Sequence, residues 1–411
     1  MSIIRSLLDT DFYKFTMGQL AFLLYPDIMV EYTFKCRNKN FRLADFINLD
    51  RLRQELIAAR ALKFTHSELH YLRGTNEYAE RMFRENWLEF LKKMEMPGFE
   101  LLSARDGNIV LCFRGKWSEA IYWETLALSV INELYYEALM KDMSAFQKDV
   151  ILSQGKIRLD NKIKLLKTRP DINFIEFGTR RRFSRDWQEY VVQALKSELK
   201  PSQFLGTSNT YLAMKHDLIP MGTSAHEVYM AYSGIYFGND DAIRNSHNKS
   251  LREWWDLYGF GLSVALTDTY GSDFFFRDMT EDQARNWKGL RQDSGDPIVF
   301  GEKAIKFYEN YGIDPKTKLI IFSDGLDIQT IFKLADYFKG RIKVSFGWGT
   351  NLTNDLGLKP LSMVVKLTKS NGHGTVKLSD NLAKAMGEPF NVDRFKQIFG
   401  HTVTDRVDTT Y

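Results

Sequence analysis

Ile172-Asn-Phe-Ile-Glu-Phe177 runs directly into Gly178-Thr-Arg-Arg-Arg182, and this switch from an apolar run to a small, basic cluster decides the reading of the fold. The switch recurs down the chain. Gln203-Phe-Leu205 precedes Gly206-Thr-Ser-Asn209, Leu218-Ile-Pro-Met221 precedes Gly222-Thr-Ser-Ala-His-Glu227, and Ser263-Val-Ala-Leu266 precedes Thr267-Asp-Thr-Tyr-Gly-Ser-Asp273. Leu319-Ile-Ile-Phe322 leads into Ser323-Asp-Gly-Leu-Asp327, and Lys343-Val-Ser-Phe346 into Gly347-Trp-Gly-Thr-Asn351. Helical spacing follows several of these runs, over 184–199, 296–312 and 327–338. Strand alternating with helix predicts parallel strands joined by crossover helices. The polar cluster always comes after its apolar run, so the clusters should gather at the carboxyl ends of the strands, where α/β barrels and doubly wound sheets hold their chemistry.

Outside this region the texture differs. Residues 29–38 alternate like a strand, 81–95 have helical spacing, and 100–115 form two apolar runs around Asp106-Gly107, a hairpin signal. Residues 118–142 read as one long, largely buried helix. From Pro360 the chain returns to a hairpin pattern, Leu361 to Lys369, a turn at 370–374, then Thr375 to Asn381. The expected division is therefore 1–140 with 360–411 as one domain and 141–359 as an α/β domain carrying the site.

Composition bounds the function. The 411 residues are 44% apolar and 26% charged, with 30 Phe and 19 Tyr, which suits a globular protein with buried sheets. A net charge of +4 is too small for a nucleic-acid coat but allows a local anion pocket. Cys36 and Cys112 stand apart with no metal-ligand spacing, so neither a disulfide framework nor a zinc site is expected. Asp9 and Asp11 interrupt any signal-peptide core, and no uncharged run approaches membrane-span length, which points to the cytoplasm.

The chemistry lies in the clusters. Arg180 beside Gly178 suits phosphate or carboxylate, although an Arg run by itself reads equally as a solvated turn. In Arg291-Gln-Asp-Ser-Gly-Asp-Pro297, Asp296-Pro297 looks like a helix cap, but Arg291, Asp293 and Ser294 are not needed for capping and could hold a charged ligand, a ribose or Mg²⁺. Asp324 and Asp327 flank Gly325 and could meet a sugar or a metal, or Asp327 could cap the next helix. Gly347, Gly349 and Thr350 could form an amide nest for phosphate. His226 follows small residues and precedes Glu227; an imidazole whose tautomer a carboxylate fixes can attack phosphorus. There is no GxxxxGK[ST] and no GxGxxG opening a βα unit.

Taken in order, LLDTDFYKFTM (7–17), FGTRRR, FLGTSN, GTSAHE, TDTYGSD, LRQDSGDP, FSDGLD and FGWGTN resemble the signatures of the bacterial nicotinate phosphoribosyltransferase family over roughly residues 8 to 366. The resemblance implies a type II phosphoribosyltransferase fold, an irregular α/β barrel beside an α/β sandwich built from the N- and C-terminal parts. It also implies transfer of phosphoribose from phosphoribosyl pyrophosphate to nicotinate, stimulated by ATP and Mg²⁺ through a phosphohistidine at His226, in NAD synthesis. A homodimer with a shared site is implied, in which Tyr13 from the partner subunit and Phe177 sandwich the pyridine ring. Arg180 and Arg291 would take the ring carboxylate and sugar phosphates in an order left open. Thr223 would lie in the nicotinate pocket, and Gly347, Gly349 and Thr350 would bind the 5-phosphate. Related nicotinamide enzymes carry Asp where this chain has Ser208, so Ser208 would favour the acid substrate. Rival readings are a nicotinamide-specific enzyme, a phosphosugar aldolase or isomerase using Lys366, and an RNA-binding protein using the Arg180–Arg185 stretch. The roles of Asp268 and Asp273, contacting ligand or only ordering loops, stay open.

Overall fold

A computed structural model of the chain describes residues 2–38, 41–77, 79–104 and 107–407. In chain order the strands are β1 (Met29–Cys36), the short pair β2 (Asn76–Glu77) and β3 (Glu80–Arg81), β4 (Phe99–Ser103), β5 (Ile109–Lys116), β6 (Phe174–Glu176), β7 (Phe204–Thr207), β8 (Val264–Leu266), β9 (Gly289–Gln292), β10 (Leu319–Phe322), β11 (Lys343–Trp348), β12 (Met363–Ser370) and β13 (His373–Gly374). They divide between two principal sheets. One is antiparallel, in the order β13-β12-β1-β5-β4, so that its strands come from both ends of the chain. The other is parallel, in the order β7-β6-β11-β10-β9-β8.

The parallel strands are three to six residues long and buried on both sides, which is why they read as continuous apolar runs rather than alternating ones. Their hydrogen-bonded neighbours bring the clusters after β6, β7, β9, β10 and β11 side by side. Leu218–Met221 departs from the strand expectation. It makes a single parallel bridge, Pro220 to Thr207, with Met221 N–H donating to Thr207 O at 2.9 Å. Pro220 has no N–H for a ladder, so this stretch crosses as an irregular connection rather than as a full strand. Thr223 Oγ1 then donates to Val264 O at 3.3 Å, so residues 219–223 span from edge strand β7 to edge strand β8. The curved sheet is closed by irregular chain, consistent with an irregular α/β barrel.

In the antiparallel sheet the alternation of β1 buries Val30, Tyr32 and Phe34. The helix expected over 118–142 is broken into Trp117–Ala120 and Trp123–Leu139, and that over 81–95 shortens to Glu85–Lys93. The hairpin joining β4 to β5 forms as expected, although Asp106 lies outside the described residues. The tail hairpin forms only in part: β13 spans two residues, and the chain then leaves the sheet. Helix His226–Ile235 packs on β12, with Ser370 Oγ donating to Ala231 O at 3.0 Å. This contact ties the antiparallel sheet to the barrel directly behind His226. Among the described residues no helix is long and apolar enough to cross a membrane.

Candidate active site

The loop after β6 is held from below. Glu176, the last residue of β6, accepts from Gly178 N, Gln188 Nε2 and Thr207 Oγ1, and burial pushes its carboxyl up to about 7 despite these donors. Arg182, fully buried, donates to both oxygens of Asp9 at 2.6 and 2.9 Å. Gly178 has no room for a side chain, because a Cβ there would strike the Thr353 side chain. Phe177 and Arg180 are thereby aimed into a cavity of about 300 Å³ at the carboxyl ends of the strands.

Tyr13 lies across from Phe177, with ring centroids 6.3 Å apart and planes within 6°. Two van der Waals gaps of roughly 3.5 Å would need about 7 Å, so a small parting opens a slot for a flat ring. Both rings belong to one chain. This corrects the expectation that Tyr13 enters from a partner subunit: Phe12 N donates to Ser208 O at 2.7 Å, Asp11 bridges Asn209, and Asp9 grips Arg182, which fix residues 9–13 to their own barrel. The backbone of Gly222, at φ 147°, packs against Tyr13 N.

Arg180 sits at the edge of this slot, its guanidinium 5.8 Å from the Tyr13 ring centre. It donates to Glu124 Oε1 at 3.1 Å and lies 3.4 Å from Asp11 Oδ2. Ser208 is buried behind the cavity wall and donates to Asp11 Oδ1 at 2.7 Å. A serine at 208 therefore does not clear the area of carboxylates, since Asp11 supplies one, and the selectivity argument from Ser208 alone is incomplete. Arg291 Nη1 donates to Ser224 O at 3.0 Å, and its buried Nε has no hydrogen-bond partner among the described residues. Thr223, Arg291, Asp293, Gly325, Gly347, Gly349 and Thr350 line the same cavity.

His226 opens its helix and is 5% exposed. Its Nδ1 lies 2.9 Å from Thr269 Oγ1, and its Nε2 lies 3.0 Å from Asp293 Oδ2, 2.9 Å from Lys377 Nζ and 3.8 Å from Asp268 Oδ1. Burial, and then the Lys377 ammonium, push the imidazole down to about 4, so it is neutral near pH 7. The carboxylate expected to orient the ring, Glu227, points elsewhere: successive helical residues face different directions. Thr269, on Nδ1, takes that place, while Asp293 and Asp268 lie against Nε2. His226, Asp268 and Asp293 are close enough together to hold a cation, and Asp268 Oδ1 is buried without a hydrogen-bond partner among the described residues. Asp273 is elsewhere, in an exposed pair with Lys303. Asp327 is a helix cap, accepting from Thr330 N, which leaves Asp324 as the acid of that cluster facing the cavity.

Of the cations that the C-terminal segment brings in, the sequence pointed to Lys366, as a candidate for a rival chemistry, and missed Lys377 and Lys384. Lys377 and Lys384 line the cavity; Lys384 donates to Asp293 O at 2.7 Å and pairs with Asp324. Lys366, on β12, is 3.4 Å from Glu124 Oε1, and burial lowers its ammonium to about 8. The one sequence signal for Lys377 is its position between Val376 and Leu378, a lysine inside an apolar run.

A sequence profile of the nicotinate phosphoribosyltransferase family matches residues 172–403, and one of that family's N-terminal domain matches residues 8–132. Solved structures are similar over nearly the whole chain. A nicotinate phosphoribosyltransferase from Porphyromonas gingivalis is 35% identical, with TM-score 0.85, over 97% of this chain and 100% of that one. One from Vibrio cholerae is 35% identical, with TM-score 0.86, over 99% and 95%. A putative nicotinate phosphoribosyltransferase from Saccharomyces cerevisiae is 27% identical, with TM-score 0.85, over 98% and 99%.

Proposed function

The chain belongs to the nicotinate phosphoribosyltransferase family, and from that membership we propose that it joins nicotinate to phosphoribosyl pyrophosphate with ATP driving the transfer through a phosphohistidine at His226. The observation that carries this reading is that one cavity contains both a flat slot, Tyr13 against Phe177, and a neutral imidazole faced by Lys377. In this reading Nδ1–H is donated to Thr269 and Nε2 keeps its lone pair. Nε2 attacks the γ-phosphorus of ATP, the bond to the bridging oxygen breaks, and ADP leaves. Phosphoribosyl pyrophosphate then binds with its phosphate on the amides of Gly347, Gly349 and Thr350. As the bond from C1 to pyrophosphate breaks, the nicotinate nitrogen, held in the slot, attacks C1. Water finally cleaves the phosphohistidine.

The residues act by positioning and by charge. Arg180, at the slot's edge, takes the ring carboxylate, while Arg291, Lys377 and Lys384 face the polyphosphate. Asp268 and Asp293 fit Mg²⁺, because a hard cation seeks oxygen donors and one Asp268 oxygen is unpartnered. Bound there, Mg²⁺ would neutralise polyphosphate charge. A homodimer would pair two self-contained sites, and NAD synthesis in the cytoplasm is the setting.

The test is formation of mononucleotide from nicotinate and from nicotinamide at equal concentration, each with and without ATP. The expected result is product from nicotinate, faster with ATP; preference for nicotinamide, or no ATP effect, would overturn the reading. A pH profile checks the nucleophile. With the imidazole at about 4, labelling by γ-labelled ATP should be level from pH 6 to 8 and fall only toward pH 4. Half-loss near the ordinary histidine value of about 6.5 would show an exposed, unperturbed ring instead.

A further inference from the structure

Lys14 follows Tyr13 in helix Tyr13–Leu24 and is 0% exposed. Its ammonium lies 2.6 Å from Glu124 Oε2 and 2.6 Å from Glu227 Oε2. Both carboxylates lead to the site. Through its other oxygen, Glu124 accepts from Arg180 at 3.1 Å. Glu227 follows His226 in the first turn of its helix, and its other oxygen accepts from Tyr32 Oη at 2.5 Å and Trp117 Nε1 at 2.7 Å. The cation thus stands midway in a buried chain that begins beside the phosphoryl-accepting histidine and ends at the arginine of the ring slot. A buried ion pair is by itself a poor source of stability, because apolar side chains of similar volume often serve as well, so the arrangement calls for another role.

We propose that Lys14 is a positioning residue that couples the two halves of the reaction, passing the state of His226 through Glu227 to Tyr13 and, through Glu124, to Arg180. The proposal rests on the phosphohistidine reading above. Phosphorylation adds about −1.5 to −2 of charge to residue 226, and the first turn of its helix must readjust around it. Glu227 is part of that turn. Lys14 has no water to turn toward, so it follows its carboxylate partner and takes Tyr13, its chain neighbour, with it. Lys14 is shared equally by two acids, so a change at one alters how firmly the other holds Arg180. Coupling of this kind is reciprocal: nicotinate must shift the phosphorylation equilibrium of His226 by the factor with which phosphorylation changes nicotinate affinity.

The test measures the nicotinate KM with and without ATP for wild type, Lys14→Gln, Glu227→Gln and Lys14→Arg, along with labelling by γ-labelled ATP. Removing the lysine strands two buried acids, so Glu227→Gln, which keeps the side-chain shape, guards against a variant that does not fold. In wild type ATP should lower the KM by about tenfold, within the usual range of coupling. In Lys14→Gln and Glu227→Gln the ratio should fall to near one while labelling persists, and Lys14→Arg should restore part of it. A variant with a raised KM but an undiminished ATP ratio would show that Lys14 only supports the fold, which overturns the proposal. Absence of label and of any ATP effect in wild type would instead bring down the phosphohistidine reading itself.

Discussion

His226→Ala is expected to abolish the acid-labile label that, on the phosphohistidine reading, γ-labelled ATP leaves on the protein, and to reduce transfer to its ATP-independent rate, a loss on the order of 10- to 100-fold. The expectation follows from the geometry of the ring. Its Nε2 is met by the Lys377 ammonium at 2.9 Å, which can stabilise an arriving phosphoryl group, and its Nδ1 is fixed by Thr269 at 2.9 Å. Alanine removes the imidazole nitrogen that this reading assigns to phosphorus, while Tyr13, Phe177 and Arg180, held by other contacts, keep their places. Slow transfer without ATP should therefore survive. The measurements are label retained after gel filtration at neutral pH, its loss in acid, and initial rates with and without ATP at nicotinate concentrations below KM. Label on the mutant equal to that on wild type would rule His226 out as the acceptor.

The second large effect concerns stability. Asp9→Ala leaves Arg182, fully buried, without the carboxylate that meets two of its nitrogens. Breaking one side of a buried pair costs about 3–5 kcal/mol. Arg185 lies 3.5 Å from the same carboxylate and loses part of its partner too. Burial pushes the Asp9 carboxyl up, but the Arg182 charge overrides it and holds the group below its ordinary value. A depressed carboxylate contributes stability that is complete above its unfolded value and is lost as pH falls through the folded one, so acid should mimic the substitution. Urea unfolding of the variant should move to a clearly lower midpoint, with nicotinate binding weakened as the Asp9 anchor for residues 9–13 loosens. A midpoint within 1 kcal/mol of wild type, taken with the usual scaling of stability on denaturant, would refute the anchoring role.

Much of the site was legible because strands that pair in parallel end on the same side. Once Phe177, Ser208, Asp293, Ser323 and Gly347 were placed after apolar runs, their meeting at one sheet edge followed from the connectivity. Reading each cluster one residue at a time was less secure. Glu227 adjoins His226 in sequence, yet neighbouring side chains on a helix face apart, so the ring is oriented instead by Thr269, from the end of another strand. Ser208 looked like the residue that decides acid against amide, yet it is buried and serves Asp11. Asp327 could have met a ligand or capped the next helix, and it is the cap.

By itself the sequence determined the parallel α/β order and the side on which the chemistry lies, which follow from periodicity and from local clusters, and the family, which follows from the resemblance of its ordered motifs. Tertiary structure alone decided that Tyr13 faces Phe177 of the same chain and that Lys366, Lys377 and Lys384 converge on the cavity from the C-terminal segment. It also decided that Lys14 lies between Glu124 and Glu227, residues 110 and 213 positions away. The physical reason is that these are pairings of buried charges and rings across long separations. Nothing in a residue's near neighbours records which distant partner the packed interior will give it.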